Sequence, residues 1–248
     1  MKVGVRVHRE VTQASNVVQE FSRFAHQYDQ YNMIQAKVAS ELIGSLSSSS
    51  HKNVLDIGCG SGEVFKNLER LDITIEHFIA LDSSQAMLNI HPQNANITKV
   101  CANFNDDNLI EKLPSQKIDM IISASSLQWS TDIDFTLKQL SNMSDRLHAA
   151  VFTSGTFKTL HDTASISSPI YNAKFIQEIV SKHYTSVNFA LHQYRLNFEN
   201  TRDMFKYIKQ SGVSSGERKL SYKQTKQLMK EYPLDYLEFE VLFLEAKR

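Results

Sequence analysis

The stretch Val54-Leu55-Asp56-Ile57-Gly58-Cys59-Gly60-Ser61-Gly62 limits what this chain can fold into more than any other. An apolar strand runs straight into three glycines at alternate positions, and a helical pattern begins directly afterwards at Glu63. Strand, turn and helix in that order put the turn at a strand's C-terminal end. Glycine there accepts positive φ and lets backbone approach a ligand with no Cβ between. The next apolar strand, Phe78-Ile79-Ala80-Leu81, ends in Asp82, 20 residues after Gly62. A carboxylate so placed can accept two hydrogen bonds from ribose hydroxyls, and the two strand ends together imply a nucleoside ligand.

The surrounding pattern agrees. Short apolar runs alternate with helical segments over Asn53 to Ile57, Glu63 to Arg70, Ile75 to Leu81, Ser84 to Ile90, Ile97 to Ala102, Leu109 to Leu113, Ile118 to Ser123 and Ile133 to Leu140. Such alternation predicts βαβ units, hence a parallel sheet with helices on both faces. His148 to Ser154 reads as a fifth strand and Phe157 to Lys182 as a helical excursion over the sheet. Val187 to Phe198 and Leu237 to Ala246 then form a terminal antiparallel pair around helical Thr201 to Gln210 and Tyr222 to Glu231. Ahead of the sheet, apolar residues from Val11 to Leu46 recur at helical spacing and predict one or two amphipathic helices, ending at the serine run Ser47 to Ser50.

A chain of 248 residues with 42% hydrophobic content can bury one full core, so a single domain is expected. Its 27 basic and 27 acidic residues cancel, which leaves no overall field toward nucleic acid or an anionic membrane. With no apolar run of about 18 to 20 residues and no apolar segment behind the charged N-terminus, the expectation is a cytoplasmic chain with no membrane partner. Cys59 and Cys101 are the two cysteines, too few for a disulfide framework or a zinc site. Free thiols and no metal are expected.

The loop chemistry narrows the ligand. Dinucleotide enzymes use G-x-G-x-x-G and seat a diphosphate at the helix N-terminus. Here the spacing is G-x-G-x-G, with Asp56 before the turn and Glu63 after it. Those carboxylates would repel a diphosphate and suit the ammonium of a methionine moiety. The motif resembles that of class I S-adenosylmethionine-dependent methyltransferases. The resemblance implies a Rossmann-like, mostly parallel seven-stranded α/β sheet with an antiparallel terminal strand, and S-adenosylmethionine as cofactor, lined by Asp56, Gly58, Gly60, Gly62 and Asp82. Ser83, Met87, Asn103, Phe104 and Ser125 join the cofactor set at the ends of the following strands. Asn103 departs from the aspartate usual there. Its side-chain carbonyl still offers an acceptor to the adenine amine, and Asp106 or Asp107 are alternatives.

Three further islands bear on the methyl acceptor. Phe21-Ser22-Arg23-Phe24-Ala25-His26-Gln27-Tyr28-Asp29 is similar to the F-x-R-x-A-x-x-Y-D signature of the methyltransferases of biotin synthesis, which methylate the free carboxyl of malonyl-acyl carrier protein. Ser123-Ala124-Ser125-Ser126-Leu127-Gln128-Trp129 and Phe152 to His161 resemble the turns after that family's fourth and fifth strands, with Met204 to Val213 a weaker echo. Tyr31 stands where a histidine is frequent. The resemblance implies Tyr28 as a lid residue over the methionine end, Gln128 and Trp129 as the opposite wall, and Tyr31, His161 and Arg202 toward the substrate. Arg23, Arg195, Arg202 and Lys206 are the candidates for gripping a carboxylate, and Lys174, Lys182, Arg202, Lys206 and Lys209 for a basic rim facing an acidic carrier protein.

The layout expected is an N-terminal helical cap (1–46), a cofactor half (51–154), a helical lid insertion after strand five (155–185) and C-terminal strands and helices (186–248). A malonyl carboxylate is ionised at neutral pH, so its methylation needs alignment and exclusion of water rather than a general base. The rival readings are a methyltransferase for a small carboxylic acid or a quinone precursor, and a methyltransferase-like protein that binds without turnover.

Overall fold

The computed structural model describes residues 32–210 and 220–248. Seven strands form one sheet in the order β3-β2-β1-β4-β5-β7-β6: β1 Ser50–Ile57, β2 Thr74–Asp82, β3 Ile97–Cys101, β4 Met120–Ala124, β5 Arg146–Phe152, β6 Ser186–Asn197 and β7 Tyr236–Lys247. The first five are parallel, and β7 inserts antiparallel between β5 and β6. The helices are α1 Met33–Gly44, α2 Glu63–Arg70, α3 Gln85–Ile90, α4 Ile133–Met143, α5 Lys158–Thr163, α6 Ala173–His183, α7 Thr201–Gln210 and α8 Tyr222–Glu231. The expected parallel sheet with a terminal antiparallel strand is the observed one. Leu109–Lys112 is a 3₁₀ turn, and β5 starts two residues earlier than its apolar run suggests.

Central strands of a doubly covered sheet are apolar on both faces. In β1, Val54 points into one core with Ile34, Val38 and Leu42 of α1 and Phe65 of α2, while Leu55 and Ile57 point into the other with Leu137 of α4 and Val180 of α6. All three of these β1 residues are fully buried. Helix starts are fixed by side chains that satisfy free N–H groups: Ser84 for α3, Asp132 for α4, Asn172 for α6, and a reciprocal Ser221–Gln224 capping box for α8.

The stretch after β5 divides in two. Ala173–His183 is a layer helix that packs on α4, with Ile176 and Val180 buried, and leads into β6. The shorter α5 stays at the end of the sheet where β1, β2, β4 and β5 finish, and it packs against α8.

Candidate active site

Three glycines shape the turn after β1, and each takes positive φ: 70° at Gly58, 52° at Gly60 and 90° at Gly62. Gly58 and Gly62 are held by the protein itself. A Cβ at Gly58 would lie 2.3 Å from Ser126 Cβ, and one at Gly62 would lie 2.5 Å from Pro92 Cδ. Gly60 differs, because no atom of the described residues lies within 4 Å of its hypothetical Cβ. Its open side is where a ligand can reach the backbone.

Two carboxylates frame this turn. Asp82 Oδ2 accepts the Gly60 amide at 2.9 Å and Oδ1 accepts the Ser84 amide at 2.8 Å, so each oxygen keeps a lone pair for a ribose hydroxyl. Burial raises its pKa, opposed by the amides of Ser84, Gly60 and Ser83. Asp56 is wholly buried, and neither of its oxygens has a hydrogen-bond partner among the described residues. Burial lifts its pKa well above 3.8, and the nearby charge of Asp82 lifts it further. A buried carboxylate with no partner is costly unless something cationic satisfies it. The ammonium of a methionine moiety would satisfy this carboxylate, and a diphosphate would be repelled by it.

The turn after β4 forms the facing wall. Ser123 Oγ and Ser126 Oγ lie 3.0 and 2.6 Å from Ile57 O and 2.6 Å from each other, so one hydroxyl donates to the carbonyl and the other can donate either to that carbonyl or to its neighbouring hydroxyl. These hydroxyls fix where the glycine turn leaves β1. Between them Ser125 is forced to φ 63°, and its buried hydroxyl has no partner among the described residues. Positive φ at a non-glycine residue is strained, and such strain gathers at functional sites. Gln128 Nε2 donates to Ser125 O at 2.6 Å, and Gln128 is buried beside half-buried Trp129, which touches both cores.

The turn after β5 is fastened by the last strand. Thr153 donates to the Glu240 carboxylate, Thr156 Oγ1 bridges the Glu240 backbone at 3.1 Å, and the Thr159 amide and hydroxyl donate to Glu238 Oε1 at 3.0 and 2.8 Å. Gly155 allows this approach, since a Cβ there would stand 2.5 Å from the Glu240 carboxylate. Phe157, at φ 57°, starts α5.

Asp56, Gly58, Gly60, Gly62, Asp82, Ser83, Ser125, Gln128 and Trp129 therefore lie at or just beyond the adjoining C-terminal ends of β1, β2 and β4. Met87 lies in the first turn of α3 just beyond, its amide held by Ser84 Oγ, and Phe104 is buried after β3. Asn103 corrects its expected role. Its Oδ1 already accepts the Asn105 amide at 3.0 Å and the Asn105 side chain at 3.1 Å, so what it presents is its NH₂ donor. His161 is half-buried on α5 and Arg202 is exposed on α7. Tyr28, Tyr31, Arg23 and the whole N-terminal signature from Phe21 to Asp29 lie outside the described residues. Arg195 stacks on the Tyr236 ring at 4.8 Å, and no lysine or arginine is buried among the described residues. Sequence reasoning missed the clamping roles of Ser123, Ser126, Glu238 and Glu240, which follow from contacts across strands and leave no local pattern.

Among the described residues no cluster of three or more His, Cys, Asp or Glu side chains is placed to hold a metal, and no helix is long and apolar enough to cross a membrane. Residues 54–148 match the family described as "Methyltransferase domain". The chain is similar to the Malonyl-[acyl-carrier protein] O-methyltransferase of Bacillus cytotoxicus, 27% identical over 216 residues that cover 79% of this chain and 74% of the relative. It is similar also to the protein of that name from Bacillus anthracis, 26% identical over 85% of this chain and 84% of the relative. Among solved structures, the YcgJ protein from Bacillus subtilis superimposes with a TM-score of 0.60 at 13% identity, covering 86% of this chain and 98% of that one, a likeness of fold. The matched methyltransferase domain, this strand order and a glycine turn framed by two carboxylates mark an S-adenosylmethionine-dependent methyltransferase with the class I fold.

Proposed function

We propose that this enzyme methylates a free carboxylate, that of a malonyl thioester borne by an acyl carrier protein, and that the reaction serves biotin synthesis. Asp56 carries the donor half of the reading, since its buried, unpartnered carboxylate calls for a cation beside the glycine turn. Two relatives with one shared name, each matched over most of its length, support the acceptor half.

The residues divide the work as follows. Asp56 would hold the cofactor's ammonium, and the remaining lone pairs of Asp82 would receive the ribose hydroxyls. Gly60 gives the chain's backbone close access, while Met87 and Phe104 supply apolar surface and Asn103 a donor toward adenine. When bound, the cofactor supplies a methyl group on a sulfonium. The acceptor carboxylate needs no base, because carboxyls titrate near pH 4. The methyl would pass to one carboxylate oxygen with the carbon–sulfur electron pair left on sulfur, so the protein would have no proton to move. What the protein contributes is alignment and a dry wall, built by Ser125, Gln128 and Trp129. Tyr28, Tyr31, His161 and Arg202 are proposed on the acceptor side from the sequence resemblance.

The test is incubation with labelled S-adenosylmethionine and either malonyl-acyl carrier protein or malonic acid. A methyl ester on the carrier-borne acid is the expected product. Label on malonic acid alone would replace this reading with the small-acid one, and S-adenosylhomocysteine binding without any methyl transfer would favour a non-catalytic protein.

A further inference from the structure

The exposed cations of this neutral chain are unevenly placed. On α7, Arg202, Lys206 and Lys209 follow one another at four and three residues, and on α8, Lys223, Lys226 and Lys230 follow at three and four. Those are the spacings of a single helix face. All six are exposed, while the opposite faces bury Met204 and Tyr207 on α7 and Leu228 on α8. The acids on these two helices are Asp203, held by the Asn200 side chain, and Glu231, held by Gln227. None of the six cations forms an ion pair among the described residues, although most other lysine-bearing surfaces here do. Each helix thus carries one cationic stripe with no ion pair among the described residues.

Their place in the fold matters as much as their charge. β6 ends at Asn197 opposite Tyr236, at the edge where β5 ends, so α7 and α8 emerge at the same end of the sheet as the glycine turn. The two helices pack together, α8 also meets α5, and Phe205 meets Tyr232 edge to face at 6.3 Å. The rim expected from sequence divides here. Lys182 pairs with Asp134 beside His183, just before β6 starts at the far edge, and Lys174 faces Glu178 on α6 at 4.0 Å. Neither belongs to the stripes.

We propose that the α7–α8 face docks an acidic helical carrier protein and so presents its tethered acyl group to the glycine turn's end of the sheet. The proposal rests on the acceptor reading above and adds where the carrier sits. Each stripe covers eight residues, about 10 Å of helix from first to last, a length suited to one acidic helix laid across it. Tyr222, 80% exposed beside Lys226, adds an aromatic anchor among the charges. A charged face of this kind steers encounter and fixes orientation, and salt weakens it.

The experiment compares wild type, the triple variant Lys206→Glu/Lys223→Glu/Lys226→Glu, and a far-edge control, Lys52→Glu. Titration with holo-acyl carrier protein, which carries no malonyl group, reads docking alone. The triple variant should bind it at least about tenfold more weakly, with the wild-type affinity falling as salt rises. In turnover, KM for malonyl-acyl carrier protein should rise with kcat nearly unchanged, while methylation of malonyl-pantetheine stays within about twofold and Lys52→Glu behaves as wild type. S-adenosylhomocysteine should stabilise all three proteins equally. Equal carrier binding by wild type and triple variant would overturn the docking face, as would stripes that bind a duplex oligonucleotide and not the carrier. Failure of the wild type to methylate either thioester would instead overturn the acceptor reading, and the holo-carrier titration would still decide the face.

Discussion

The Gly60 amide donates to Asp82 Oδ2 at 2.9 Å, joining the turn after β1 to the end of β2. Asp82 therefore shapes the turn in addition to its proposed role toward the ribose. Asp82→Ala should weaken S-adenosylhomocysteine binding by about 1.5–3 kcal/mol for each ribose bond lost. It should also destabilise the free protein by about 1–3 kcal/mol, since the Gly60 and Ser84 amides lose their acceptor. Asp82→Asn, which keeps one carbonyl, should fall between. Calorimetric titration and urea unfolding measure the two effects, and full stability in Asp82→Ala would deny the structural part.

Asp56 has the opposite signature. Its carboxylate is strained in the free protein and useful only with a cation present, so Asp56→Asn should raise the melting temperature without cofactor while weakening cofactor binding. Each kcal/mol relieved corresponds to about 2–4 °C in a chain of this size. The sign with pH follows from its raised pKa. The folded free protein binds this proton more tightly than the unfolded chain, so Asp56's contribution lowers stability as pH rises above 3.8 toward the folded value. Over the same range S-adenosylhomocysteine binding should strengthen and release a proton, visible as a buffer-dependent binding heat that Asp56→Asn abolishes.

The three glycines should separate by phenotype. Gly58→Ala and Gly62→Ala each place a Cβ within 2.5 Å of protein atoms and should impair folding. Gly60→Ala meets no neighbour and should cost only the left-handed φ, about 1–2 kcal/mol, yet it fills the side open to ligand. A folded Gly60→Ala protein that no longer gains melting temperature from S-adenosylhomocysteine is the expected result. Undiminished binding would move the cofactor off this turn.

At the far end of the sheet, His148 Nε2 lies 3.1 Å from Leu42 O, and burial, aided by Arg146, holds its pKa below 6.5. His51 is lowered for the same reasons. The folded state keeps these rings neutral while the unfolded chain protonates them, so their effect is absent above about pH 7. As pH falls through 6.5 they cost stability. His148→Gln keeps a donor for Leu42 O and should flatten the loss between pH 7.5 and 5.5 relative to wild type, read by urea unfolding. Comparing the two proteins cancels the opposing contribution of Asp56.

Much of this was legible in the sequence where the cause is local. The bounds of α2, α7 and α8 follow from hydrophobic periodicity, and Asp82 from its place at a strand end. β1 begins at Ser50, inside a serine run that reads as loop, because pairing with Thr74 and Ile75 extends it. β5 gives up Thr153 and Ser154 to a turn whose partners lie in β7, which no nearby residue announces. Asn103 misled for the same reason. An asparagine offers both acceptor and donor, and only its neighbour Asn105 decides which remains. The Asp56 carboxylate was recognised as suited to an ammonium, but its lack of any partner is visible only in the fold.

The clasp between the turn after β5 and the last strand also sets an order of assembly. Thr153 and Thr156 meet Glu240 across 87 and 84 residues, and β6 pairs with no strand but β7. A chain leaving the ribosome exposes β1 to β5 and the glycine turn well before Glu240 emerges. The half that holds the glycine turn can therefore mature on the nascent chain, whereas the turn after β5, and the helices that flank it, must wait for the final strand to slide into the gap between its neighbours.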